Sequence, residues 1–287
     1  MTPYHDLVRA ITRLSQNGKH LPLGGFPPAS RPQIAPDAPR VLIFAPHPDD
    51  ECIIGGLPLR LMREAHMRVV NVAVTQGSNK QRQAARWKEL EAACAYLGFD
   101  LVPTGPGGLE RITPKNREQD PADWGKSVAA IAAILAEHAP RLILFPHDND
   151  WNGTHIGTHY LLVDALKQQA AGFTCLVVET EFWGAMATPN LMVESTADDI
   201  ADLMAATSFH VGEVQRNPYH LVQPAWMQDN VRRGGELVGG QGGAAPDFTF
   251  CTLYRYRRWK NGGFEAIYSG GRSLPATTPA GDLLSWA

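Results

Sequence analysis

The stretch 41–56, V-L-I-F-A-P-H-P-D-D-E-C-I-I-G-G, limits the possible folds more than any other part of the chain. Val41, Leu42, Ile43 and Phe44 form the short continuous apolar run of a strand buried on both faces. Pro46 and Pro48 cannot donate to a sheet ladder, so the strand must stop there. His47, Asp49, Asp50 and Glu51 follow at once. Polarity this dense at the carboxyl end of a buried strand is where open α/β sheets place their sites. A His beside carboxylates is a ligand set suited to Zn²⁺, and a spare carboxylate there can serve as a base. Each residue has a plainer use when taken alone, since a lone His or an Asp pair commonly forms a turn or caps a helix. Pinned as a group to one buried strand by two prolines, they read as a site.

Downstream, apolar strands alternate with helical periods. Helices are expected over 57–65, 80–97, 124–138 and 160–170, and strands over 68–75, 100–103, 141–146 and 174–178. This β-α-β order predicts a mostly parallel sheet wound on both faces, a Rossmann-like three-layer α/β fold. Residues 4–15 carry helical spacing, 21–40 a Pro/Gly-rich arm, and 104–123 a glycine-, proline- and charge-rich loop that suits a substrate flap. Beyond 198 the pattern changes to helices over 199–210 and 226–237 and a strand over 248–259, with little pattern in the tail. The expected organisation is a helix and arm over 1–39, an α/β core over 40–210, and a smaller C-terminal extension over 211–287 that completes the same domain.

Formal net charge is −3, which gives no reason to expect nucleic acid or an anionic membrane as partner. Cys52, Cys94, Cys175 and Cys251 lie far apart with no C-x-x-C pair, so neither a disulfide framework nor a thiolate metal site is expected. The first residues lack a basic segment followed by an apolar core, and no apolar run is long enough to span a bilayer. A cytoplasmic, reduced setting is the expectation.

The 41–56 stretch resembles the signature of the PIG-L/LmbE family, the zinc-dependent N-acetylglucosaminyl deacetylases. The family's A-[HP]-H-P-D-D-E block has its counterpart in Ala45-Pro46-His47-Pro48-Asp49-Asp50-Glu51. The resemblance implies one zinc per chain, with His47 and Asp50 as ligands and Asp49 as general base. A third ligand should come from P-H-D-N-D-W-N-G-T-H-I-G-T-H, which follows the strand 141–145 at the same sheet edge. The family's second motif, [ND]-x-H-P-D-H, ends in that ligand. Aligned on residues 149–155, it implies His155 for the metal and puts Asn152 where many members carry an assisting His, a departure from the family pattern. His159, one turn past His155, can supply a proton, orient a ligand or simply pack. His147 reads as a sheet-edge hydrogen bonder rather than a ligand.

Weaker matches extend the resemblance to about 40–210. Thr75-Gln76-Gly77 is similar to the family's T-x-G loop, and Arg86 to the Arg of its R-x-x-E-L helix, which faces the substrate; by itself, Arg86 with Glu89 reads as a surface pair. Glu181 and Trp183, after the strand 174–178, offer a carboxylate for sugar hydroxyls and a ring for stacking. His210 is similar to a His in the family's late helix, or else is a packed interior residue.

The function implied is zinc-dependent removal of the N-acetyl group from an N-acetylated amino sugar or related glycoside. One alternative is a metal-dependent amidohydrolase on a larger amide or a thiol-sugar conjugate, and another is a metal- and sugar-binding protein without turnover. A nucleotide or methyl-donor binder would carry G-x-G-x-x-G after its first strand, where this chain has H-P-D-D-E. The expected partner is a small amino sugar, with no nucleic acid and no membrane, and the resemblance is compatible with a homo-oligomer.

Overall fold

In the computed structural model, which describes residues 2–286, the strand that leads into the polar block sits at the middle of the sheet. This strand, β1 (Arg40–Ala45), pairs in parallel with β2 (Arg68–Ala73) on one side and β4 (Leu142–Pro146) on the other. β3 (Asp100–Pro103) extends the β2 side, and β5 (Cys175–Thr180) the β4 side, all parallel. The order β3-β2-β1-β4-β5 reverses direction between β1 and β4, so the chain ends following these two strands face one crevice.

β1 feeds both faces. Val41, Ile43 and Ala45 pack among residues of α3 (Leu57–Ala65), α4 (Lys80–Leu97) and α8 (Ala197–Ser208). Leu42 and Phe44 pack on the opposite face against α6 (Pro121–His138) and α7 (Gly153–Lys167). The period of two in a strand explains why consecutive apolar residues serve two cores.

Beyond β5 the sheet continues as β7-β6-β9, with β7 (Cys251–Lys260) antiparallel to both β5 and β6 (Leu191–Glu194). β9 (Arg272–Leu274) pairs with β6, and β8 (Gly263–Ala266) forms a hairpin with β7. The strands β6, β8 and β9 are absent from the sequence expectation, because runs of three or four residues are too short to show alternation. Arg60 of α3, 1% exposed, ties this region down by donating to the carbonyls of Glu194, Leu274, Pro275 and Thr278.

Three further differences bear on the site. A short helix, α2 (Asp50–Ile53), starts inside the polar block. α7 begins at Gly153 rather than near 160, because the polar turn G-T-H has no apolar period, yet Asn152 caps it by accepting from Thr154 N at 2.8 Å. The segment expected as loop over 104–123 is irregular to 113 and then forms α5 (Pro114–Gln119) and the start of α6. It presses on α7 at Gly157, where an added Cβ would stand 2.3 Å from the Ile112 carbonyl oxygen. The helix α1 (Pro3–Gly18) buries none of its residues and leaves Leu7, Val8, Ile11 and Leu14 exposed. The remaining helices are α9 (Val211–Val214) and α10 (Gln223–Leu237). The four cysteines are free and buried, and no described helix is long and apolar enough to cross a membrane.

Asp164 of α7 anchors the 104–123 segment. Arg117 donates to both of its oxygens at 2.8 and 2.9 Å, and Trp124 Nε1 donates at 3.0 Å. Burial works to raise this carboxyl, but the Arg117 and Trp124 hydrogen bonds outweigh it and hold it below the usual aspartate range. A depressed carboxyl adds stability above its unfolded-state pKa, and loses it as pH falls through the lowered folded value. Asp164→Asn is therefore expected to cost about 1 kcal/mol near neutrality, a fall of roughly 2–4 °C in Tm. The difference from the native chain should shrink below about pH 4. A constant Tm difference across that range would show that the anchor is not electrostatic.

Candidate metal centre

The crevice between β1 and β4 gathers three ligand-type atoms. His47 Nδ1 and His155 Nε2 stand 3.2 Å apart. Asp50 Oδ2 lies 3.3 Å from the first and 3.2 Å from the second. Tetrahedral ligands at about 2.0–2.1 Å from a zinc ion would be spaced by roughly 3.3 Å. Asp50 is 1% exposed and its Oδ1 has no hydrogen-bond partner, an orphaned buried carboxylate oxygen on the residue that supplies one corner of the triangle. The donor set and its spacing fit a divalent metal.

Local chain geometry produces the triangle. The prolines end β1, the chain turns at Asp49, and α2 opens with Asp50, whose Oδ2 also accepts from the His47 backbone N–H at 2.8 Å. His155 arrives on the first turn of α7, set by the Asn152 cap. Behind it, Asp150 Oδ1 lies 3.6 Å from His155 Nδ1 and accepts from Asn152 N at 2.9 Å. The separation is beyond a hydrogen bond, so Asp150 acts on His155 through its charge, which raises the basicity of the ring.

The field favours positive charge at this point. Burial disfavours the charged form of His155, but Asp50 and Asp150 on either side prevail and raise it to about 10. Asp50 is driven the other way: burial would raise it, but the two histidines hold it well below the usual carboxylate range. A cation occupying the triangle would answer the same demand that protonation of His155 answers here.

Asp49 sits beside the triangle at φ 116°, in the left-handed region that a non-glycine residue rarely adopts. Strain of this sort costs on the order of 1–3 kcal/mol and gathers at functional sites. Burial, then the neighbouring Asp50, push the Asp49 carboxyl up to about 6. Tyr219 O–H donates to Asp49 Oδ2 at 2.5 Å, and Arg86 lies 3.7 Å from Oδ1 while donating to the Pro48 carbonyl at 2.7 Å. The strained backbone is pinned by Glu51, whose Oε2 accepts from Asp49 N at 2.9 Å.

The remaining expected site residues divide. Asn152 lines a cavity of about 470 Å³ together with His47, the loop after β2 and residues 109–113. Trp183 stands edge-on to Tyr219 and Trp226 in a second cavity of about 440 Å³. Glu181 also lines that cavity, and both its oxygens accept from Arg233 or the Met186 N–H. His210 is fully buried and its Nε2 lies 2.7 Å from Glu51 Oε1, so it packs against the block from the interior. His159 is 5% exposed, between Phe145 and Tyr160, and its Nδ1 donates to the Pro146 carbonyl at 3.1 Å. Burial lowers its pKa despite Glu179 at 3.4 Å. Of the three uses open to it, packing and support match this setting. His147 hydrogen-bonds the Gly184 carbonyl at 2.8 Å, as expected of a sheet-edge residue.

Sequence reasoning missed Tyr219 and, although it placed Glu51 in the polar block and Asp150 in the stretch after the strand 141–145, gave neither of these two a role. Asp150 and Glu51 lie inside the quoted stretches and carry a donor type that could have flagged them. Tyr219 follows Asn217-Pro218, which marks only a break, and nothing local points to Asp49.

Comparison with known proteins gives the following. Residues 42–166 match the family described as PIG-L: GlcNAc-PI de-N-acetylase. The 1D-myo-inositol 2-acetamido-2-deoxy-alpha-D-glucopyranoside deacetylase of Mycobacterium leprae is 26% identical over 164 residues, covering 47% of this chain and 53% of its own length. The chain thus spans about half the length of the curated relatives it matches. The N,N'-diacetylchitobiose deacetylase from Pyrococcus horikoshii aligns in structure over 77% of this chain and 84% of its own, with a TM-score of 0.54 and 15% identity. The 4-carboxy-2-hydroxymuconate hydratase from Pseudomonas putida aligns over 76% and 95%, also at 0.54 and 15%. At such identity the likeness shows the fold alone, and these two proteins carry unlike activities on it.

Proposed function

We propose, for a chain that carries a PIG-L family domain over residues 42–166, zinc-dependent hydrolysis of the N-acetyl group of an N-acetylated amino sugar or related glycoside. The observation that carries this reading is the His47–Asp50–His155 triangle with Asp49, raised to about 6, beside it. The deacetylase named among the relatives supports the substrate class.

His47, Asp50 and His155 would hold the ion. When bound, it supplies Lewis-acid polarisation of the amide carbonyl and a lowered pKa for water. Asp49 takes the proton of the attacking water and returns it to the leaving amine, a role suited to a carboxyl raised toward neutrality. Tyr219 and Arg86 orient that carboxylate. The Asn152 side-chain oxygen is spent on the helix cap, which leaves its N–H₂ as a donor toward the developing oxyanion. The hydroxyl- and amide-bearing cavity at His47 and Asn152 receives the sugar.

The test is release of free amine from N-acetylglucosamine and its glycosides by zinc-loaded protein. Full metal binding with no amine from any of them would leave a metal- and sugar-binding protein instead. His159 supplies a second check. As a supporting residue, His159→Ala is expected to lower Tm, with kcat falling less than about tenfold, below the range of a lost acid catalyst. Displacement of the basic limb of the pH–rate profile in that variant would make His159 the general acid.

A further inference from the structure

We propose that the second cavity, walled by Trp151, Phe182, Trp183 and Trp226, is an acyl-side subsite that takes an apolar N-acyl group larger than acetyl. The inference rests on the amide-hydrolysis reading above and extends it to the part of the substrate opposite the sugar.

The linings of the two cavities include the loops after β2 and after β5, the strands that flank β1 and β4 in the sheet order. The first is built by the loop after β2 and residues 109–113. The second is built by residues 181–185 after β5 and by α10, with Thr252 of β7. Since the triangle stands over β1 and β4, an amide placed there has one half directed toward each cavity. Hydrolysis breaks the C–N bond, forms a C–O bond from water, and releases the amine to one side and the carboxylate to the other, with no redox change. A sugar in the hydroxyl-bearing cavity leaves the acyl group in the aromatic one.

The polar groups of the second cavity are already committed. Glu181 is paired with Arg233, and Asn230 bonds Arg233 and the Cys251 carbonyl. Asp229 is paired with Arg232. Asp229 Oδ2, Thr252 Oγ1 and the indole N–H groups are what remain. A hydroxyl-rich ring placed here would leave most of its hydroxyls unpaired, whereas a hydrocarbon chain or an aryl group would not. The volume, about 440 Å³, far exceeds a methyl group. Trp151 at the rim is 81% exposed, an indole that gains burial only when something covers it.

The cavity is coupled to the triangle. Phe182 stands edge-on to His155 with ring centroids 5.0 Å apart. Asp150, which lies behind His155, also accepts from Trp183 N and Gly184 N at 3.1 Å each. One carboxylate therefore positions both the candidate ligand and the cavity wall. Trp226 and Met227 lie beyond residue 166, outside the family match, whereas Ile53 and Trp151 lie within it.

The test is a series of N-acyl glucosamines, acetyl, butyryl, hexanoyl and phenylacetyl, followed by free-amine release from zinc-loaded protein. kcat/KM should rise along the series, by up to about fourfold for each fully buried methylene, and Trp226→Ala should flatten the rise. Phenylacetate, the product of the last member, should quench tryptophan fluorescence saturably in the metal-free protein. Turnover that is greatest with acetyl, or equal along the series, would overturn the acyl subsite and leave the deacetylase reading standing. No amine from any member would overturn both. The native series decides between these outcomes even where Trp226→Ala fails to fold.

Discussion

Asp49→Asn is expected to lower kcat by about 10²–10⁴-fold while zinc content stays at the native level. The amide is nearly isosteric with the carboxyl and can still accept from Tyr219, but it cannot take a proton. Asparagine also tolerates positive φ better than most residues, so the turn at φ 116° should survive. Burial beside Asp50 disfavours a charge at position 49, so the neutral variant should be at least as stable as the native chain. Two measurements settle the assignment: metal per chain, and single-turnover amine release at fixed pH. If Asp49→Asn lost its zinc, Asp49 would be a ligand and the roles of the Asp pair would be exchanged.

His155→Ala should abolish stoichiometric zinc binding, and Asp150→Asn should weaken it in a graded way. An outer-shell partner is typically worth 10–100-fold in affinity, and Asp150 holds that position behind His155. Removing His155 itself takes one corner of the triangle and leaves Asp50 and Asp150 facing each other without the group between them. The loss should therefore exceed the effect of Asp150→Asn. His47→Ala should resemble His155→Ala in metal content, but not in apo stability, because the His47 side chain is 19% exposed and that of His155 fully buried. Thermal shift on zinc addition reads the same order, since a ligand that binds only the folded state raises Tm. A His155→Ala protein that still takes up one equivalent of zinc with a full shift would remove His155 from the ligand set.

A good part of the architecture was legible because it is written locally. The run Val41–Phe44, cut by two prolines, announces both a buried strand and its end, and the residues after it fall at the strand's carboxyl edge without reference to anything distant. The alternation of apolar runs and helical periods carried the parallel sheet for the same reason, and helices 57–65 and 80–97 appear at their expected bounds. His47, Asp49 and Asp50 are neighbours in the chain, so their proximity needed no folding argument.

Long-range partners were decided only by the tertiary structure. Tyr219 meets Asp49 across 170 residues, and neither sequence segment encodes the other. Glu181 looked like a free carboxylate without Arg233 of α10 against it, and of the two readings of His210 the packed interior one matches its burial against Glu51. The insertion of β7 between β5 and β6 is likewise invisible to periodicity, which states which face of an element is apolar and not what covers it. The same holds for the two cavities. Residue type and spacing determined that a metal-type block ends β1, whereas packing of α10 and β7 against the loop after β5 decided what stands beside it.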